Sequence, residues 1–164
     1  MPSIREISLN PIFIIGIGIR ITFILLTIPV IMSDWYVPFL DNSINNFSLD
    51  PWNNWIINNG SIEAFPYGFG MWIIFLPLFF IFDLFGLSSS LAYLITILIF
   101  DTALLYFLIK LTNNLKIVLL TYWLSPIIII LSYGLGLNDV IPVFLLAISI
   151  FFLKQNQLIL SSAL

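Results

Sequence analysis

Long apolar runs separated by short polar connections make up most of the chain. At 1.5 Å per helical residue, the longer runs can cross about 30 Å of hydrocarbon. They are also too long for the alternating strands of a β-barrel, so helices are the remaining way to satisfy the backbone in lipid. The pattern therefore predicts an all-α, polytopic membrane helical bundle of about five hydrophobic segments. These segments lie near residues 11–32, 69–85, 91–109, 117–133 and 140–153.

One long polar interval, residues 33–66, separates the first two apolar runs. It contains no Lys or Arg, whereas Arg5 precedes the first run. Because cytoplasmic loops carry an excess of Lys and Arg, this distribution predicts a cytoplasmic N-terminus and an extracytoplasmic loop at 33–66. The interval does contain four acids, which are Asp34, Asp41, Asp50 and Glu63.

The middle of this loop has the pattern of a short amphipathic helix. Asp50 fits the N-cap position, and Pro51 fits the first helical position. Trp52 and Trp55 would then share one face at i, i+3 spacing. Two tryptophans on one face suit the headgroup zone of a bilayer, so we expect this helix to lie on the membrane.

Composition supports the membrane assignment and restricts the chemistry. The chain is 61% hydrophobic and only 8% charged, against about 25% charged for a soluble domain. It contains no Cys and no His, so disulfides, thiolate or imidazole metal sites and a Ser-His-Asp triad are excluded. Five scattered basic residues do not form a nucleic-acid surface. Carboxylates, amides, hydroxyls, aromatics, Arg and Lys remain for any reaction.

The topology after residue 110 is ambiguous on the sequence alone. Strict alternation of spans would place Lys110 and Lys116 outside, against the charge rule. We favour a broken or re-entrant segment at 117–139, since Pro126 and two glycines interrupt it. The chain stops inside an apolar run, so residues 1–164 are interpreted as one membrane domain that forms the N-terminal part of a longer protein.

Asp34 is the strongest candidate for a catalytic role. It follows the first run almost immediately, at the expected membrane surface, where a carboxylate could act as a general base or bind a divalent cation such as Mg or Mn. Glu63 stands just before the second run and could supply a second carboxylate. Tyr67 lies in a segment with Pro66 and two glycines, and it could stack on a sugar or belong to an interfacial aromatic belt.

Four further polar residues lie in or between apolar runs. Arg20 is expected either to extend toward the headgroups on the Arg5 side or to have a function, because an unpaired Arg in lipid is costly. Asp101 could be catalytic or could pair with a helix outside this chain. Asn138 and Asp139 stand where a span breaks, and polar groups at such breaks line water-filled cavities.

The order of these features resembles the GT-C glycosyltransferases, multi-pass enzymes that use polyprenyl-phosphate sugars as donors. The matching features are Arg20 in the first run, SDWY at 33–36, and Gly60 followed by FPYGFGMWIIFLP at 65–77. SPIIIILSYGLGLNDVIP at 125–142 resembles a later phrase of that family. Two features depart from the family pattern: an Asp-x-Asp form is missing near Asp34, and Ser-Pro replaces Asn-Pro.

The resemblance implies an enzyme that moves a hexose such as mannose from a polyprenyl-phosphate carrier to an extracytoplasmic acceptor. Asp34 would be the catalytic carboxylate. Arg20 and Asp139 would contact phosphate or acceptor, since the planar fork of an Arg binds two phosphate oxygens. The alternatives are a transporter or channel subunit with Arg20, Asp101 and Asp139 along a polar path, or a non-catalytic membrane scaffold.

Overall fold

A computed structural model describes residues 2–155, and within this range the chain is helical with no strand. The all-α prediction is therefore confirmed. Three π-helical turns, π1 (Met32–Tyr36), π2 (Leu119–Trp123) and π3 (Ile130–Gly134), and a 3-10 turn at Ile62–Ala64 interrupt or join the α-helices. The α-helices are α1 (Ile4–Ser8), α2 (Pro11–Leu26), α3 (Val37–Asn45), α4 (Pro51–Ile57), α5 (Phe69–Leu84), α6 (Ser89–Thr112), α7 (Leu115–Val118), α8 (Pro126–Ile129) and α9 (Val140–Lys154).

Helix α6 is the one helix of the described residues that is by itself long and apolar enough to cross a membrane. A second candidate span is the pair Leu115–Trp123 and Pro126–Gly134, which is bent by 49° at a short break. Helices α2, α5 and α9 are apolar but shorter. Helical segments thus lie in all five predicted regions, while a bundle of five crossings remains a prediction.

The helix of the first predicted segment, 11–32, is interrupted before the end of that segment. Helix α2 stops at Leu26, and residues 27–29 are irregular. Pro29 has no N–H to continue the helix, and its ring disfavours helical geometry at the preceding residue. The Thr27 hydroxyl bonds the Phe23 carbonyl at 2.7 Å, so the helix end is satisfied locally.

The described residues form two compact units. One comprises residues 28–96, and the other comprises 2–27 together with 97–155. Helix α6 is continuous across the boundary at residue 97. A single membrane domain over 1–164 remains a prediction, and residues 156–164 lie outside the described range.

The predicted loop at 33–66 is mostly helical, and its central helix faces the core. The Asp50 side chain accepts a hydrogen bond from the Asn53 N–H, which confirms the N-cap of α4. Trp52 and Trp55 both pack against the buried ring of Phe39, which confirms their shared face. That face packs within the chain, and the expectation that this helix lies on the membrane stays a prediction.

Candidate functional site

Asp34, the predicted catalytic carboxylate, lies on the π-helical turn π1. It is exposed, and one of its oxygens accepts a hydrogen bond from the Ser33 hydroxyl at 2.9 Å. A π-helical turn holds one residue more than an α-helical turn, and such turns occur often at functional sites. Asp34 is thus accessible to a ligand and stands on an irregular helix rather than in a flexible loop.

The two ends of the polar interval meet beside Asp34. The hydroxyls of Tyr36 and Tyr67 are 3.1 Å apart, and their ring centroids are 5.7 Å apart. Phe65 packs edge-on against both rings. The chain leaving α2 and the chain approaching α5 are therefore held together by an aromatic cluster, with Asp34 two residues from its first member.

Glu63 belongs to the 3-10 turn Ile62–Ala64, which contacts π1. It is exposed, and its carboxylate accepts a hydrogen bond from the Ser61 hydroxyl at 2.9 Å. Within residues 2–155 no hydrogen bond joins Glu63 to Asp34. The structure therefore leaves two accessible carboxylates on neighbouring turns, each held by its own serine.

Asp41 differs from these two acids because it is partly buried. Burial raises the pKa of its carboxyl, while a hydrogen bond from Ser89 opposes the rise and the negative charge of Asp83 adds to it. Ser89 is the first residue of α6. The bond from the Ser89 side chain therefore connects Asp41 to the start of α6, which gives Asp41 a structural explanation.

A buried ion pair lies in the other unit, between α2 and α6. Arg20 Nε donates to Asp101 Oδ2 at 2.6 Å, and both side chains are 0% exposed. The interpretation that Arg20 extends toward the headgroups is therefore wrong. Asp101 likewise has a partner within this chain, so no helix outside it is needed.

Two tyrosines complete the hydrogen bonding of Asp101. The Tyr122 hydroxyl donates to Oδ1 at 2.5 Å, and the Tyr133 hydroxyl donates to Oδ2 at 2.8 Å. Tyr122 lies on π2 and Tyr133 on π3. Both π-helical turns of this unit thus direct a phenol at the same carboxylate, which receives three donors.

The guanidinium of Arg20 also stabilises the break in the bent helix pair. Nη1 donates to the Trp123 carbonyl at 2.8 Å and to the Gly16 carbonyl at 3.1 Å. Carbonyls at the end of a helix lack intrahelical partners, and Trp123 is the last residue of π2. The guanidinium carbon lies 3.5 Å from the centre of the Trp123 ring, a cation–π contact.

This network leaves Arg20 little capacity for a substrate. Nε and Nη1 are committed to protein acceptors, and Nη2 is buried without a hydrogen-bond partner in residues 2–155. Neither the pairing of Arg20 with Asp101 nor the two tyrosines was predicted from the sequence. The signal was present, because one Arg and one Asp inside apolar runs each require an opposite charge.

Asn138 and Asp139 lie between π3 and α9, where the chain turns through Gly136 at φ +81°. Asn138 is 0% exposed, and its side-chain Nδ2 and Oδ1 have no partner among the described residues. Asp139 is exposed at the start of α9. The predicted break at this position is confirmed.

The predicted site residues fall into two groups. Asp34, Glu63 and Tyr67 belong to the unit 28–96, whereas Arg20, Asn138 and Asp139 belong to the other. Within residues 2–155 no group of three or more acidic side chains is placed to hold a metal ion. A divalent cation at Asp34 stays a prediction.

Comparison with known proteins does not assign the chain to a class. No protein-family model matches the sequence, and no curated protein or solved structure is similar to it. A function must therefore be argued from the residues and their geometry.

Proposed function

We propose that the chain is part of a membrane glycosyltransferase of the GT-C kind. It would transfer a hexose, such as mannose, from a polyprenyl-phosphate carrier to an extracytoplasmic acceptor. The observation that carries this proposal is the contact between the two ends of the polar interval, through the Tyr36 and Tyr67 hydroxyls at 3.1 Å. The aromatic cluster at this contact begins two residues along the chain from an accessible carboxylate, Asp34, and a carboxylate and aromatic rings are side chains that can act on and stack against a sugar.

In this proposal Asp34 acts as the general base. Its exposed carboxylate takes the proton from an acceptor hydroxyl while the acceptor oxygen bonds the anomeric carbon of the sugar. The bond from that carbon to the carrier phosphate breaks, and the polyprenyl phosphate leaves. In the alternative role, Asp34 would instead bind a divalent cation, which would stabilise the charge on the leaving phosphate. Glu63 and Tyr67, on the neighbouring turn and in the cluster, would contact the sugar.

The bilayer is the source of the donor in this proposal. Helices α2, α5 and α9 and the bent pair would cross the membrane together with α6. The N-terminus would be cytoplasmic and the interval 33–66 extracytoplasmic, in agreement with the single Arg before α2 and the absence of Lys and Arg from the interval. A donor with a long apolar chain would then approach from the lipid.

The transporter hypothesis receives less support. It requires Arg20, Asp101 and Asp139 to line one polar path. Arg20 and Asp101 are fully buried and paired with one another, whereas Asp139 is exposed. The cavity that Asp139 lines is bounded by neither of the other two residues.

Asp34→Asn tests the proposed function directly. The change removes a base from an exposed position, so we expect sugar transfer by the full-length protein to fall at least a hundredfold, while the melting temperature stays unchanged. Asp83→Asn is the matched control, since Asp83 is an exposed acid of the same unit. Full activity of Asp34→Asn, measured with a radiolabelled polyprenyl-phosphate sugar, would exclude Asp34 as the base.

A further inference from the structure

Four of the five basic residues of the chain are not buried, and all four belong to the unit formed by residues 2–27 and 97–155. The fifth is Arg20, the buried partner of Asp101. Along the sequence the four are far apart: one precedes the first apolar run, two lie between the third and fourth runs, and one follows the fifth. They are Arg5, Lys110, Lys116 and Lys154.

Packing between α1, α6 and α7 brings the first three of these residues to one end of the unit. Ile7 of α1 is buried in the same cluster as Ile109, near the end of α6, and Val118 of α7. Each of the three basic residues lies within two positions of a member of this cluster along the chain. Helix α1, the end of α6 and the start of the bent helix pair therefore meet at this end.

Helix α9 brings Lys154 to the same end, because it runs alongside α6 in the same direction. Phe144 packs against Phe100 with the ring centroids 5.3 Å apart. Seven residues further along both helices, Phe151 packs against Phe107 at the same distance. The Lys154 ammonium then donates to a carbonyl in the last turn of α6 at 3.4 Å. We call the end that carries the four basic residues the basic end.

Charge is distributed unevenly over this unit. The acid at the basic end is Glu6, and its carboxylate accepts a hydrogen bond from the Ser3 N–H as part of the cap of α1. Four basic residues against one acid leave an excess of three positive charges. The exposed acid Asp139 stands at the other end of α9, and the 15 residues of that helix rise by about 22 Å. The positive charge is thus confined to one end.

The helices that reach the basic end have exposed apolar sides. Ile14 and Ile15 of α2 are 52% and 56% exposed, and Leu146 and Leu153 of α9 are 61% and 49% exposed. Such sides suit the acyl chains of a bilayer, and a positive end next to them suits phosphate headgroups. A soluble phosphate compound would match the charge but not the apolar sides.

We propose that the basic end binds the headgroups of anionic phospholipids. A guanidinium binds two phosphate oxygens, and ammonium groups attract phosphate as point charges. Each Lys or Arg close to an anionic bilayer strengthens the attraction about fivefold. Anionic lipids are a feature of the cytoplasmic leaflet, so Lys110 and Lys116 would lie on the side of Arg5, as the charge rule requires. The inference rests on the proposed membrane location and not on sugar transfer.

Energy transfer from a dye on the protein to labelled lipids tests the proposal, and the chain suits it because it contains no Cys. Gln155→Cys and Leu135→Cys place the dye at exposed positions beyond the two ends of α9. The purified full-length protein is reconstituted in phosphatidylcholine vesicles. A trace of phosphatidylglycerol, or of phosphatidylcholine, carries the acceptor on an acyl chain, so that its headgroup is unaltered.

From position 155 we expect transfer to phosphatidylglycerol to exceed transfer to phosphatidylcholine at least about twofold. From position 135 we expect no difference between the two lipids. Concentrated salt should reduce the preference at 155, because it screens charges at a surface. Equal transfer to both lipids from position 155, or the same preference at both positions, would overturn the proposal.

Two sets of substitutions identify the groups responsible. Arg5→Gln combined with Lys110→Gln, Lys116→Gln and Lys154→Gln should abolish the preference. The charge-conserving set, in which the Arg becomes Lys and each Lys becomes Arg, should retain it. A preference that survives the Gln set, or one that is lost in the charge-conserving set, would contradict the proposal.

A soluble competitor distinguishes a lipid site from a site for free phosphate compounds. Glycerol phosphate lacks acyl chains, so we expect it to leave the preference of the unmodified protein intact at low concentration. If it abolished the preference, the basic end would bind soluble phosphates and the proposal would be wrong. Since no sugar donor is present, this result is independent of the Asp34→Asn assay.

Discussion

The position of the Trp123 side chain depends on Gly16. A Cβ atom at Gly16 would overlap the Trp123 indole, which stacks on Phe13 and bonds its carbonyl at 3.0 Å. Gly18, two residues further on, has no atom within 4 Å of the same position. A close approach that requires glycine therefore occurs at Gly16 and not at Gly18.

Gly16→Ala should therefore destabilise the protein, whereas Gly18→Ala should not. The added methyl displaces a fully buried indole, and overpacking of this kind costs about 1–3 kcal/mol. Gly18→Ala, the matched control, adds a methyl to open space and should raise helix stability by up to about 1 kcal/mol. Thermal unfolding in detergent, followed by circular dichroism, measures both. Equal melting temperatures for the two variants would show that Trp123 is not held against Gly16.

At the scale of elements, the Arg20–Asp101 pair holds α2, α6 and the bent helix pair to one another. Removing one partner of a buried ion pair leaves an uncompensated charge, which is far more costly than removing both. The cost is greater here because Asp101 also accepts from two tyrosines. The pair therefore has a structural role, and the energetic effects of removing Arg20 and of removing Asp101 are coupled.

A double-mutant cycle on this pair should show strong coupling. Asp101→Leu leaves the Arg20 charge buried, and we expect it to reduce the free energy of unfolding by about 3–5 kcal/mol. Arg20→Leu combined with Asp101→Leu should be more stable than Asp101→Leu alone, because both charges are gone. Denaturant titration of the four proteins gives the coupling energy. Additive effects would contradict a direct ion pair.

The positions of the helices were more predictable than the π-helical turns that interrupt or connect them. Apolar runs predicted the positions of all five helical regions, and Asp50 with Pro51 predicted the start of α4. Pro29 lies just after the end of α2, but the first segment was predicted from hydrophobicity alone and therefore extended beyond this proline. The π-helical turns are invisible to periodicity, since one extra residue in a turn depends on tertiary contacts.

The candidate site was predictable only in part, because some of its residues follow from the local sequence pattern and others depend on tertiary contacts. Residues near the ends of a segment, such as Asp34 and Tyr67, can be selected by their position relative to apolar runs. The Asp101 network joins residues far apart in the chain, Arg20 and Tyr133 among them, and spacing does not reveal such contacts. Charge balance in an apolar environment could have paired Arg20 with Asp101, although it could not have identified the tyrosines.

At the scale of the whole molecule, the path of the bent pair decides the topology of everything after it. The sequence favoured a broken or re-entrant segment at 117–139 that does not cross the membrane fully. A re-entrant hairpin must reverse its direction. With a bend of 49°, however, the axis of the second helix, Pro126–Gly134, continues largely in the direction of the first, Leu115–Trp123. The pair covers residues 115–134, and about 20 helical residues are the number that a crossing of the hydrocarbon core needs. The pair is therefore a candidate for one broken crossing, and a re-entrant path stays the alternative.

Cysteine accessibility distinguishes the two paths, and the chain suits this method because it contains no Cys. Single variants Lys116→Cys and Leu135→Cys place a thiol at exposed positions on either side of the bent pair. A membrane-impermeant maleimide applied to sealed, oriented vesicles should label only one of them, and it should reach the other after permeabilisation. Asn53→Cys, in the interval 33–66, reports which side is extracytoplasmic. Labelling of positions 116 and 135 from the same side would establish a re-entrant segment, and Asp139 would then lie on the side of Lys116.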